Sequence, residues 1–544
     1  MRTPATLALL AAAMMAACTA QQQGADPELT TPGNPYLPLW EHIPDGEPYV
    51  FEDPDQPGRY RVYIYGSHDN LKTEYCGRDQ VVWSASVDSL TRWRYDGIIF
   101  SVDKNARGEL LDAEGKADVL YAPDVTLVTD ADGKKTYYLY PNDQAGGRNG
   151  LVARSSRPDG PFEVCNWSEQ NPDLTEGVLG FDPAVFVDDD GRVYGYWGFE
   201  RSYAAELDPA TMATVKPGTT IVEDMVSGRH QKGIFRFFEA SSIRKIQDKY
   251  VFVYSRWTRD GEYGLPDTNY TLAYAYSDHP LGPWTYGGTI IDGRARDINE
   301  QGDTIATATV SGNTHGGICQ VGGQWYVFYH RQTGLNEYAR QAMVAPVSVA
   351  VEQGAGGRVT ISEGEYTSEG FALGGLNPLE RHSAGIACWY TGPKTAEHAW
   401  PENIFYGSYV DVNYGLDDRF ERPYDLSSNT NFVVNNTDGS IVGYKYFNFD
   451  ATQGSSKAAL LLRLIPQGVD GQLTVLLDRP WTSQGGSVLA TVDLRTDMPQ
   501  ESTEITVDLP ALGTFAGKHA LFFTFQSDVK GQSLCTLQDF AFRR

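Results

Sequence analysis

Residues 249–255 read KYVFVYS, a strand of alternating aromatic and aliphatic side chains that follows a turn rich in Asp, Lys or Gly. The same phrase stands at RYRVYIYGS (59–67), KKTYYLYP (134–141), RVYGYWG (192–198) and QWYVFYH (324–330). Alternation with a period of two in Tyr, Val, Trp and Phe marks β-strands. The copies recur at roughly sixty to seventy-five residues, the span of one four-stranded propeller blade with long loops. Five copies predict five blades.

A polar residue stands about eleven to thirteen positions ahead of four of these strands: Asp124 in YAPDVTLV, Asp182 in GFDPAVFVDD, Glu239 in FFEASSIRKI and His315 in NTHGGICQV. Asp45 in IPDGEPYVFED fills the same place in the first copy, where EDPDQPG lengthens the turn. If each opens the innermost strand of its blade, pseudo-symmetry gathers four carboxyl groups and an imidazole at one mouth of the central axis.

The 544 residues are too many for one compact core and predict two domains. The 12% aromatic content favours all-β packing and surfaces that stack on sugar rings. A net charge of −26, with no basic run, excludes nucleic acid as a partner. Once Cys18 is set aside, Cys76, Cys165, Cys319, Cys388 and Cys535 are odd in number and lack CxxC spacing, so buried free thiols are expected rather than disulfides or zinc.

Residues 1–18 form an export signal: one Arg, a short apolar run, then Ala16-Ala17-Cys18, similar to a bacterial lipoprotein cleavage box. Lipid at Cys18 and a Gln-, Pro- and Gly-rich tether over 19–33 would place the protein in the periplasm or at the outer-membrane surface, touching membrane only through the anchor. The alternative is an ordinary signal cut near Ala20. The propeller is expected over 34–350, a linker packed on it over 351–400, and a β-sandwich or jelly roll over 401–544. The last rests on short strands such as VGYKYFNF (442–449), GQLTVLLD (471–478) and TLQDFAFR (536–543), separated by Gly, Asp and Pro turns.

Carboxyl groups crowded in a dry mouth cannot all ionise at their solution pKa values. One acid held protonated beside one held ionised is the arrangement that cleaves a glycosidic bond. The chain has no Gly-Lys-Ser/Thr phosphate loop and no GxSxG nucleophile elbow.

Over residues 34–350 the motifs NPYLPLWEHIPDGEP, YAPD, FDPAVFVDDDGRVYGYWG, FFEAS with KYVFVYS, and THGGICQVGGQWYVFYHR resemble, in order, a glycoside hydrolase family 43 catalytic domain. The resemblance implies a five-bladed propeller that inverts the anomeric carbon and needs no cofactor. It implies Asp45 as the general base, Glu239 as the general acid and Asp182 as the residue that orients Glu239 and raises its pKa. Asp124, Tyr121, Arg331 and Trp257 are expected to bind substrate, and His315 to hold a central cation or water; calcium is the candidate structural ion. Two departures bear on this. Asp45 lies in Asp-Gly-Glu-Pro, which makes Glu47 a rival base, and Tyr121 stands where the family has Trp. Asp188-Asp189-Asp190 reads as a solvated hairpin turn.

The C-terminal part resembles, more weakly, a family 6 carbohydrate-binding module, with Trp481, Tyr444 and Tyr446 either as a stacking platform or as part of the core. Together these imply an exo-acting enzyme that releases terminal pentose, foremost α-L-arabinofuranose, from plant polysaccharide or oligosaccharide. The alternatives are a β-xylosidase, a galactose- or galactofuranose-releasing relative, and a non-catalytic glycan-binding propeller.

Overall fold

The computed structural model describes residues 28–71, 74–111, 118–308, 313–333, 337–393, 408–411 and 430–544. The signal and anchor residues, 1–18, lie outside these, as does the expected start of the sandwich at 401. The structure is all-β. Among the described residues no helix is long and apolar enough to cross a membrane.

Five antiparallel sheets follow one another in chain order, each a meander whose strands run outward from the axis in sequence order. Their innermost strands are Glu47–Glu52, Asp124–Thr129, Ala184–Val187, Phe237–Ile246 and Ile318–Val321. The aromatic repeats supply every second strand: Tyr60–Tyr65, Lys135–Tyr140, Val193–Trp197, Lys249–Arg256 and Gln324–Arg331. Except for Lys135–Tyr140, which is half-buried in one register, these strands are largely buried on both faces, which is why both registers of the alternation are mostly apolar or aromatic. Apolar clusters fill the spaces between successive sheets, for example Tyr196, Phe237, Phe252 and Tyr254 between the third and fourth blades.

Among the described residues the fifth blade has three strands, the last being Gln341–Val347. Its edge is covered by residues 34–36. The Tyr36 N–H donates to the Ala342 carbonyl (3.2 Å), and the Asn34 amide brackets Val344, donating to its carbonyl (2.7 Å) and accepting from its N–H (3.0 Å). Just upstream, Leu29–Thr30 adds a fifth strand to the first blade. Residues 29–36 thus clasp the first blade to the last.

A two-sheet sandwich follows. One sheet contains Tyr409–Asp411, Phe432–Asn436, Cys535–Arg543, Ala459–Pro466 and Thr503–Asp508, with His382–Ser383 on Cys535–Arg543; the other contains Trp389–Thr391, Ile441–Asn448, Lys518–Gln526, Gly471–Leu477 and Ser487–Leu494. Leu460, Leu462, Leu473, Val475, Phe523 and Phe540 meet between them. The segment expected as a linker, 351–400, therefore gives strands to both sheets. The short strands His382–Ser383 and Trp389–Thr391 carry too few residues for their periodicity to register. The proposed aromatic platform does not form. Tyr444 is fully buried in the sandwich core, the Tyr446 hydroxyl donates to Glu365, and Trp481 packs against Trp389. The five cysteines are free, all buried except half-buried Cys165.

Candidate active site

Asp45 and Asp182 stand two residues before the first and third innermost strands, and Glu239 is the third residue of the fourth. Both aspartates adopt the left-handed backbone region, with φ of 60° and 50°. In the fourth blade the register slips on both sides of Glu239, and Ala240 takes φ 69°. A bulge of this kind re-aims a side chain at the end of a sheet, and non-glycine residues held at positive φ cluster at functional sites. Here the bulge turns the Ala240 N–H onto Asp182 Oδ2 (2.9 Å) while the Glu239 carboxyl faces the cavity. Gly66 completes the Asp45 turn: a Cβ there would lie 2.4 Å from the Pro44 carbonyl oxygen, so only glycine lets the second strand approach so closely. The next residue, Ser67, donates to Asp45 Oδ2 at 2.6 Å.

These residues surround a cavity of about 200 Å³ lined by Asp45, Asp182, Glu239, His315, Arg340 and Tyr121, with Tyr75, Cys76, Phe181, Phe199 and Asn313 completing the wall. It joins an outer cleft of about 900 Å³, and Tyr75, Phe199, Glu239 and Asn313 belong to both. Trp257 and Phe238 line the cleft only, whereas Asp45 and Asp182 line the inner cavity only. Glu239 therefore sits at the boundary between the small inner cavity and the wider cleft beyond it.

The electrostatics separate the carboxyl groups. Burial alone would raise the pKa of Asp45, but the Arg340 guanidinium, 3.1 Å from Oδ1, and the adjoining His330 ring outweigh it and hold the group well below the usual carboxylate range. Glu239 is pushed up to about 8, first by burial and then by the negative charge of Asp45. Asp182 is also raised, by burial and by Glu239, against donors from Ala240 and from Asn142 (3.0 Å). Burial lowers His315 to about 4, so its imidazole is neutral, with Nδ1 3.4 Å from Asp182 Oδ2. Among the described residues no group of three or more His, Cys, Asp or Glu side chains is placed to hold a metal ion.

Two expected substrate contacts lie elsewhere. Asp124 turns into the central channel, where it accepts from the Tyr49 hydroxyl (2.6 Å) and from the Val185 N–H (2.6 Å), tying the second blade to the third. Arg331 follows His330 on a strand, so period-two alternation sends them to opposite faces. The Asp45 N–H donates to His330 Nδ1 (3.2 Å), whereas Arg331 donates to the Ala387 and Gly385 carbonyls at the sandwich. Glu47, the rival base, is paired in the channel with Arg244 (2.5 Å) and Ser242 (2.9 Å) and does not line the cavity. Arg244 also stacks over Tyr49, 4.5 Å from the ring centroid.

Arg340 is the principal site residue that sequence reasoning missed. Besides Asp45 it binds Asp69 (2.8 Å) and Asn313 (3.0 Å), and the two aspartates lie 295 and 271 positions away in the chain. Asn313 was within a quoted motif, but nothing in its spacing marked it out.

The profile of glycosyl hydrolases family 43 matches residues 61–351. A xylosidase/arabinosidase of Thermoclostridium stercorarium is 31% identical over 532 residues, 92% of this chain and 98% of that protein. An arabinoxylan arabinofuranohydrolase of Paenibacillus polymyxa is 27% identical over 393 residues, 67% of this chain and 57% of its own length. The crystal structure of a family 43 arabinoxylan arabinofuranohydrolase from Bacillus subtilis, in complex with cellotetraose, aligns over 94% of this chain and 97% of its own with 20% identity and a TM-score of 0.45. The profile match, together with the near full-length relative, establishes that the chain belongs to glycosyl hydrolases family 43 and is a glycoside hydrolase.

Proposed function

We propose that the enzyme is an inverting, exo-acting glycosidase that removes one terminal pentose, α-L-arabinofuranose, from plant polysaccharide or oligosaccharide. The observation that carries this reading is the placing of two carboxyl groups in opposite protonation states around a chamber for one ring, with the protonated one at its exit. Asp45, ionised at the inner wall, takes a proton from water as it attacks the anomeric carbon. Glu239 delivers its proton to the leaving oxygen at the junction with the cleft. Asp182 spaces and orients Glu239 through the Ala240 N–H, and its own burial keeps negative charge from spreading over all three acids. Tyr121 gives the bound ring a face, and Trp257 offers one to the leaving group. Hydrolysis by such a pair requires no cofactor.

The names of the relatives favour arabinose or xylose as the released sugar. Aryl α-L-arabinofuranoside, β-D-xyloside and β-D-galactofuranoside, offered in parallel, test the assignment. Fastest release from the arabinofuranoside, with the inverted anomer first in the NMR spectrum of early product, is the expected result. Preference for the xyloside would transfer the specificity to β-xylose, retained configuration would remove Asp45 as a base, and inactivity on all three would favour the non-catalytic alternative.

The proposal includes lipid at Cys18, supported by the apolar run ending Ala-Ala-Cys before a polar tether. Cys18→Ala should release the protein from the membrane fraction of a bacterial host. A wild-type protein that is soluble and begins near Gln21 would leave simple secretion.

A further inference from the structure

The outer cleft is built by both domains. Beyond Glu239 its wall includes Thr304, Ile305 and Ala306 of the propeller, and Thr391 and Gly392 of the sandwich. The three propeller residues belong to a hairpin, Arg296–Ile298 paired with Thr304–Ala306, that projects after the fourth blade. The sandwich holds this hairpin along its length. Arg479 Nη1 donates to Asp297 Oδ1 (2.8 Å) and Lys445 Nζ to Asp297 Oδ2 (3.1 Å). At the hairpin tip the Ser483 hydroxyl donates to Glu300 (2.7 Å) and the Gln484 amide to the Asn299 carbonyl. On the returning strand Ile305 packs into the cluster of Trp389, Ile441, Leu476, Ala520 and Phe522, and the Tyr390 N–H donates to the Thr307 carbonyl (2.5 Å).

We infer that the sandwich sets leaving-group specificity: by clamping the 296–306 hairpin and adding Thr391–Gly392, it forms the wall against which the sugar beyond the scissile bond is held. Arg479 is a positioning residue in this scheme, acting on the cleft through Asp297. The inference rests on Glu239 being the general acid, because that role makes the cleft the leaving-group side. The inner cavity takes no lining residue from the sandwich or the hairpin. A small aryl leaving group therefore needs little of the clamped wall, whereas an oligosaccharide extends along it.

The test compares wild type with Arg479→Glu, which faces Asp297 with a like charge, with Arg479→Lys, which keeps the positive charge, and with Gln484→Ala, which frees the hairpin tip. Each is assayed on an aryl glycoside of the preferred sugar and on an oligosaccharide ending in that sugar, with melting temperature as a check on folding. Misplacing bound groups by about 1 Å costs up to about 10²-fold, so kcat/KM of Arg479→Glu on the oligosaccharide should fall about tenfold or more. The loss should appear chiefly in KM, with aryl glycoside turnover close to wild type. Arg479→Lys should recover most of the loss, and Gln484→Ala should show the same split in smaller degree. Equal loss on both substrates, or none on the oligosaccharide in folded Arg479→Glu and Gln484→Ala, would overturn the inference. A wild-type enzyme inactive on both substrates would instead remove the underlying functional reading.

Discussion

Replacing Arg340 by Gln should raise the acidic limb of the pH–rate profile and shift the alkaline limb upward to a smaller degree, because Arg340 also lowers the pKa of Glu239. The proposed base must be ionised, so activity is lost as pH falls through the pKa of Asp45. The proposed acid must be protonated, so activity is lost as pH rises through that of Glu239, at about 8. In the wild type the acidic limb should lie below the ordinary carboxylate range, because Arg340 holds Asp45 there. Asp45 and Arg340 are both buried, with 3.1 Å between Nη1 and Oδ1. Two unit charges about 4 Å apart interact by about 4 kcal/mol at an effective dielectric constant of about 20. At 1.36 kcal/mol per unit that amounts to about three pKa units. The Ser67 hydroxyl remains as a donor, so a rise of about two to three units is expected, bringing the limb up toward the range of a solvated aspartate, ~4.

The assay is kcat/KM on an aryl glycoside between about pH 3 and 10, with a melting curve at each pH. Arg340→Gln also strands Asp69, and breaking a buried pair costs about 3–5 kcal/mol of stability. Arg340→Lys, which keeps the charge, therefore serves as a second variant with a smaller displacement of the limb. A wild-type acidic limb near pH 4 that does not move in either folded variant would refute the account of Asp45.

Glu239→Gln and Asp45→Asn should each lower turnover by about 10²–10⁴-fold, and an aryl substrate with a good leaving group should rescue only the first, since it alone lacks a proton for the departing oxygen. Equal rescue would exchange or dissolve the two roles. Glu47→Gln should spare kcat while lowering the melting temperature, because it leaves Arg244 without its closest carboxylate in the channel; abolished turnover in a folded Glu47→Gln would make Glu47 the base. Gly66→Ala should reduce kcat more than it raises KM by displacing the Asp45 turn, and unchanged kinetics would show that the turn tolerates the added methyl group.

The propeller was legible because its signal is local and repeated. Five aromatic strands at similar spacing each mark a blade, and the polar residue upstream marks the opening of the innermost strand. The same repetition over-predicted the pocket. Asp124 occupies an equivalent place in the second blade, yet its carboxylate is engaged by Tyr49 and by the backbone of Val185, a choice that depends on the neighbouring blade. Arg340 was illegible for the opposite reason: a guanidinium between two carboxylates some 271 and 295 positions away leaves no periodic trace. The hairpin at 296–306 belongs to no repeat, and the sandwich side chains that bind Asp297, Asn299 and Glu300 lie 148 to 185 positions away.

The clasp formed by residues 29–36 has a consequence for the order of assembly. Asn34 finds its partners on Val344, 310 positions along the chain, so the earliest part of the fold to leave the ribosome must wait for almost the last part of the ring. Contacts of such sequence separation are slow to form, and unpaired strand edges exposed in the meantime invite association between chains. If the chain is exported unfolded, as proposed, ring closure falls after translocation, and the residues that join first blade to last govern the yield of soluble enzyme more than its final stability.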